Sequence, residues 1–175
     1  MTSQSNQEGN AVSFLSELQA RIDAVSPNDY AESNRAHPGA TIVGEAPDHL
    51  KRLYTVLRQM HAERGEVLIA DTAWADEMDA KFGPDAEETP EHSEAVEESK
   101  RRDQASLKSK QSFDMVYELL RVEALRAFPE IPAEASVLFL QGWQVGFIRE
   151  SPQILAFVLG GGFVRHSQGE EHHTH

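Results

Sequence analysis

The chain has no cysteine. Disulfides, thiolate metal sites and cysteine nucleophiles are therefore excluded, and a reducing compartment fits. Aromatic residues make up only 7% of the 175 positions, so few large anchors are available for a core or an interface. The longest apolar run, 154–164, is about half the ~20 residues that a membrane-spanning helix needs. The first residues, Met1-Thr2-Ser3-Gln4-Ser5-Asn6, carry neither the basic region nor the apolar run of a secretory signal. Positive charge is also scarce: 16 Lys and Arg stand against 29 Asp and Glu, a formal net charge of -13. That balance disfavours direct binding to nucleic acid or to an anionic membrane. The expectation is a cytoplasmic protein that binds neither.

Catalytic signatures are missing as well. No Gly-x-Ser-x-Gly pattern is present, and Gly160-Gly161-Gly162 lacks the Lys-Ser/Thr of a phosphate loop. No Glu-x-x-His occurs within the two helical arms, although carboxylate-bridged metal sites in helical bundles use it. Glu45 and His49, like Glu88 and His92, are four apart, but each pair straddles an expected helix start. His37 belongs to a His-Pro-Gly turn, and His61 has the best chance among the histidines of the first arm of facing a core. His172, His173 and His175 can chelate a transition metal weakly, as imidazoles in a tail do. No catalytic residue, cofactor or metal ligand is assigned from these patterns.

What is present is helical periodicity across 47–128. A first arm, 47–82, opens on Pro47 and Asp48 and stops at Gly83-Pro84. A second arm, 90–128, begins behind Thr89 as N-cap, with Pro90 and Glu91 in its first turn, and stops before Pro129. Equal arms of about 55 Å joined by a short connection predict an antiparallel hairpin. The first-arm seam is Leu50, Leu53, Leu57, Met60, Val67, Trp74 and Met78, interrupted by Arg64 and Asp71. The second-arm stripe is Phe113, Val116, Tyr117, Leu120, Ala124 and Phe128. A turn centred near Ala86 would pair Leu57 with Met115, Leu53 with Leu119, Leu50 with Val122, Asp71 with Arg101 and Trp74 with Glu98. A firm base and a tip held mainly by charge pairs follow.

The flanks read more simply. Residues 1–10 are polar and expected to be disordered, and 11–26 form a short amphipathic helix through Phe14, Leu15, Leu18, Ile22 and Val25. Residues 27–46 are loop, with a short extended piece at 40–43. From 137 to 148 the period changes to two, which predicts a strand with a bulge or break at Gly142 or Gly146. A turn at 149–153 and a second strand to 159 would complete a β-hairpin over 136–159, and 166–175 form a disordered His-rich tail. The fold class is thus mainly α: a long antiparallel helical hairpin with a short N-terminal helix and a small C-terminal β-hairpin, in one domain over 11–165.

The sharpest functional feature is the hairpin tip. Between Asp71 and Glu98 lie eleven acidic residues and one lysine, a charge density approaching the one charge per ~1.7 Å of duplex DNA. Asp76, Glu77, Asp79, Glu87, Glu88, Glu91 and Glu94 are the candidate partner-binding residues, for a basic protein. Helix-surface pairing of Glu97 with Arg101 and Glu98 with Arg102 offers the plainer account of part of that charge. Phe139, Trp143, Phe147 and Phe157 are candidate core or oligomer anchors, since a two-stranded element with two apolar faces needs cover. The expectation is a non-enzymatic interaction or adaptor protein, homo-oligomeric, presenting an acidic tip. A DNA-mimicking inhibitor and a helical-bundle metalloenzyme are the alternatives.

Overall fold

A computed structural model describes the backbone of residues 2–27, 38–84 and 87–149, with side chains from Val12 onward. Its elements are α1 (Thr2–Ala24), β1 (Thr41–Glu45), α2 (Asp48–Phe82), α3 (Pro90–Ala127), β2 (Ser136–Leu140) and β3 (Gln144–Ile148). The long helices pack as the expected hairpin. Their ends follow from local chemistry. The Pro47 carbonyl accepts the first bonds of α2, from the amides of Leu50 and Lys51 at 3.0 and 3.1 Å. The Thr89 hydroxyl accepts the amide of His92 at 3.1 Å, an N-cap that opens α3.

The chain divides into two compact units. One comprises Met1–Val56 and Tyr117–His175, and the other Leu57–Val116. In the first unit a three-stranded antiparallel sheet has the order β1-β3-β2. β2 and β3 pair from Ser136↔Ile148 to Leu140↔Gln144. β1 pairs with β3 from Thr41↔Phe147 to Glu45↔Gln144, with the register stepping between Ile42 and Gly44. That step is a bulge, and a Cβ on Gly44 would lie 3.0 Å from the Phe128 ring. Every residue of β2 is buried. Its alternate side chains meet different neighbours: Leu138 and Leu140 pack with Ala40 and Ile148, while the Phe139 ring stacks on Tyr54 at 4.6 Å.

Three expectations change. The alternation over 137–148 is not one strand but a complete hairpin, folded at Gln141–Trp143. Gly142 (φ 73°) and Trp143 (φ 60°) are both left-handed in this three-residue connection between Leu140 and Gln144. A left-handed tryptophan costs roughly 1–2 kcal/mol. Its carbonyl accepts the Ala46 amide at 2.8 Å and its ring meets Tyr54 edge-on at 6.0 Å, contacts that hold it there. The third strand comes from 41–45, the short extended piece of the long loop. The expected turn at 149–153 lies almost wholly outside the described residues; the second strand to 159, His37 and the His-rich tail lie wholly outside them. The second change is in α1, which begins at Thr2 rather than near Ala11, no proline interrupting it before Pro27. Leu18 and Val25 of its stripe are buried, whereas Leu15 is 58% exposed.

The third change is the pairing across the hairpin. The whole second-arm stripe is buried or half-buried, as read, but Met115 and Val122, the expected partners of Leu57 and Leu50, are exposed at 52% and 39%. Observed contacts join His61 to Phe113, Asp71 to Arg102 and Phe82 to His92. These pairs sum to 173 or 174 rather than 172. A shift of one residue turns a helical side chain by about 100°, enough to take it off the seam.

Candidate functional site

The acidic tip belongs to the second unit. Near its end, α2 sets Trp74, Met78 and Phe82 at four-residue steps, which stacks them on one face. The start of α3 supplies Glu91, Glu94, Ala95, Glu98 and Arg101. Together with Lys81 these residues line an open cleft of about 310 Å³. Its lining is part apolar, from Trp74, Met78, Phe82 and Ala95, and part ionic.

Arg102 organises the proximal end. Its guanidinium donates to Asp71 at 2.6 Å and to Glu98 at 3.0 Å, and lies 4.7 Å from the centre of the Trp74 ring. Bonding to Asp71 raises its pKa further above an already basic value. Glu98 also accepts from Arg101 at 2.8 Å, and this bond, with the nearby guanidinium charges, holds its carboxyl below the usual range. Lys100 takes Glu97 at 3.3 Å, so the expected Glu98 and Arg102 pair forms and the Glu97 and Arg101 pair does not. Distally, His92 packs against Phe82 at 5.1 Å, and the Lys81 ammonium lies 5.4 Å from the centre of the same ring.

The seven predicted carboxylates separate by position. All are exposed. Glu91 and Glu94 line the cleft, and among the described residues neither forms an ion pair or side-chain hydrogen bond. Asp76, Glu77 and Asp79 lie outside the cleft lining, and Glu87 and Glu88 precede α3. The carboxylates are thus one charged surface but not one site. Composition alone missed the apolar lining; the cross-arm pairing of Trp74 with Glu98 was the signal for it. The predicted anchors go elsewhere: Phe139 and Phe147 are buried in the first unit, Trp143 is half-buried at the hairpin turn, and Phe157 is outside the described residues.

An apolar strip flanked by unpaired carboxylates suits a basic side chain, whose methylene stem lies along aromatic rings while its charged head meets a carboxylate. Among the described residues no three His, Asp or Glu side chains converge to hold a metal ion. No described helix is long and apolar enough to cross a membrane. Comparison with protein-family models, with curated proteins and with solved structures finds no match for this chain.

Proposed function

We propose that this is a non-enzymatic interaction protein whose acidic tip docks a basic, amphipathic segment of another protein. The carrying observation is the pair Glu91 and Glu94, without an ion pair among the described residues, beside a cleft lined by Trp74, Met78 and Phe82. Exposed charge gives fast, salt-sensitive encounter and little affinity by itself. Burial of apolar side chains against the rings supplies the rest. A surface mimicking duplex DNA would need charge density alone, so the apolar cleft favours the peptide reading.

The test uses a synthetic helical peptide of alternating Lys and Leu faces and the Trp143→Phe chain, in which Trp74 is the remaining tryptophan. Titration should shift Trp74 emission to the blue and saturate at one peptide per chain. Replacing Glu91 and Glu94 by Gln should weaken binding about tenfold, two lost charge-assisted contacts at a partly desolvated site. Removing two charges outside the cleft, Asp76→Asn with Glu77→Gln, should weaken it far less. Equal weakening by both pairs would mean that charge density alone binds, and would turn the reading toward nucleic-acid mimicry.

A further inference from the structure

In the sheet of the first unit, β2 is buried from both sides. Val137 and Phe139 share the face on which the Phe139 ring stacks against Tyr54 of α2. Ser136, Leu138 and Leu140 alternate with them and point to the opposite face, yet they are 6%, 5% and 6% exposed. Among the described residues, the hydrophobic side chains packed against Leu138 and Leu140 are Ala40 and Ile148, themselves partly buried, and neither belongs to a helix. An antiparallel sheet with one open face carries polar residues there. An edge strand that shows leucine on that face and keeps it dry lies under a further layer.

The same face locates that layer. Gly146 pairs with Leu138 on one side and Ile42 on the other, so the three side by side form one row across the sheet. Ile42, at the β1 end of the row, is 48% exposed. The cover therefore lies over β2 and leaves β1 largely open.

Two stretches of sequence outside the described residues adjoin the sheet: 28–37, which leads toward Ala40 and β1, and the chain beyond Arg149. The first has Tyr30 as its one large apolar residue and carries Asp29, Glu32 and Arg35. It also enters on the open side. The second holds Ile154, Leu155, Phe157, Val158 and Leu159 in a run, 154–164, without charge. β3 has a strand on each side, so this run has no edge of β3 left to pair with. From Arg149, beside Ile148 on the covered face, five residues reach up to about 17 Å, against the ~4.8 Å between neighbouring strands. Six extended residues span about 20 Å, enough for the roughly 14 Å from Ser136 to Leu140.

We infer that residues 154–159 are a strap of the same chain laid over Ser136, Leu138 and Leu140. With the strap in place β2 offers no apolar face to another chain, and with it lifted β2 does. This inference does not depend on the docking proposed for the acidic tip.

The test places the photoreactive residue p-benzoylphenylalanine at position 157 of the full chain. Irradiation should join 157 to the stretch 136–148, read by mass spectrometry of the digest. Mixing isotopically heavy and light chains separates contacts within a chain from those between chains, and the joined peptides should be heavy with heavy and light with light. In solution, Phe157→Glu should lift the strap and raise the fluorescence of anilinonaphthalene sulfonate above that of the unaltered chain, with helical circular dichroism retained; Phe157→Leu should not. Cross-links mainly to the helices or to 28–37, cross-links between heavy and light chains, or a folded Phe157→Glu chain with unchanged dye fluorescence would overturn the inference. Should Phe157→Glu fail to fold, the cross-linked peptide decides alone.

Discussion

The two compact units use the same pair of helices to different ends. Among the described residues, twenty hydrophobic side chains are buried and only Leu57, Phe113 and Val116 of these belong to the second unit, whereas six of the ten exposed large hydrophobics do. The first unit is stabilised by apolar burial around Tyr54 and Phe139. The second is bridged by side chains that combine charge with ring contact: Arg64 over Phe113 at 5.2 Å, and Arg102 between Asp71, Glu98 and Trp74. Burial is not screened by salt and gives global stability. Exposed ionic bridges are weak and screened. The contrast teaches that a long helix need not be uniformly stable along its length.

Substitutions that separate the units test this. Phe139→Ala removes a ring that is 1% exposed and stacked on Tyr54, and should cost about 3–5 kcal/mol in urea denaturation. A cost near 1 kcal/mol would mean that the first unit is no firmer than the second. Gly142→Ala meets no neighbouring atom, so its cost comes from the positive φ alone and should be roughly 1–2 kcal/mol. Gly65→Ala in α2 also meets nothing, but its backbone is helical, and it should stabilise the chain by about 0.5–1 kcal/mol. Opposite signs for these two alanines, both in open space, would show that backbone conformation and not packing decides each. Hydrogen exchange should follow the same division. Amides near Val67 and Trp74 should exchange before those of β2, and Arg102→Ala should widen the gap without changing β2.

The parts of this fold legible in the sequence are those where one face of one helix suffices. The α3 stripe from Phe113 to Phe128 is such a case, because a repeat of three and four residues fixes a face whatever lies opposite. Tyr54 and Val56, both fully buried, fell outside the α2 seam because the base of α2 is buried on more than one face, the Tyr54 ring meeting Phe139 of the sheet. Cross-hairpin partners required the turn to be placed within one residue, which connection residues do not specify. The β-turn was hidden because tryptophan at a left-handed position is no turn signal; only Gly142 hinted at a break. At the tip, the carboxylates were visible as composition, but which of them meet Trp74 depends on helix rotation.

The smallest expected effect divides the units by pH. In the second unit, burial and then the Arg64 charge lower the His61 pKa from 6.5, so the folded chain favours the neutral ring. Its contribution is present above pH 6.5 and is lost as pH falls below that value toward the folded pKa, because the unfolded chain takes the proton first. Glu98 acts in the same direction lower down: bonding to Arg101 depresses its pKa from 4.5, so its stabilisation holds above 4.5 and fades as pH falls through the depressed value. In the first unit, Tyr117 is pushed well above 10.0, chiefly by burial. Its contribution is intact below pH 10 and is lost as pH rises past it, the unfolded chain ionising first. Acid should therefore loosen the second unit first and alkali the first. Trp74 emission in the Trp143→Phe chain reports the former, and Tyr117 absorbance the latter. His61→Gln should flatten the Trp74 response as pH falls below 6.5 while leaving the alkaline transition of Tyr117 in place. A response that survives the substitution would assign the acid sensitivity to another group and remove His61 from the account.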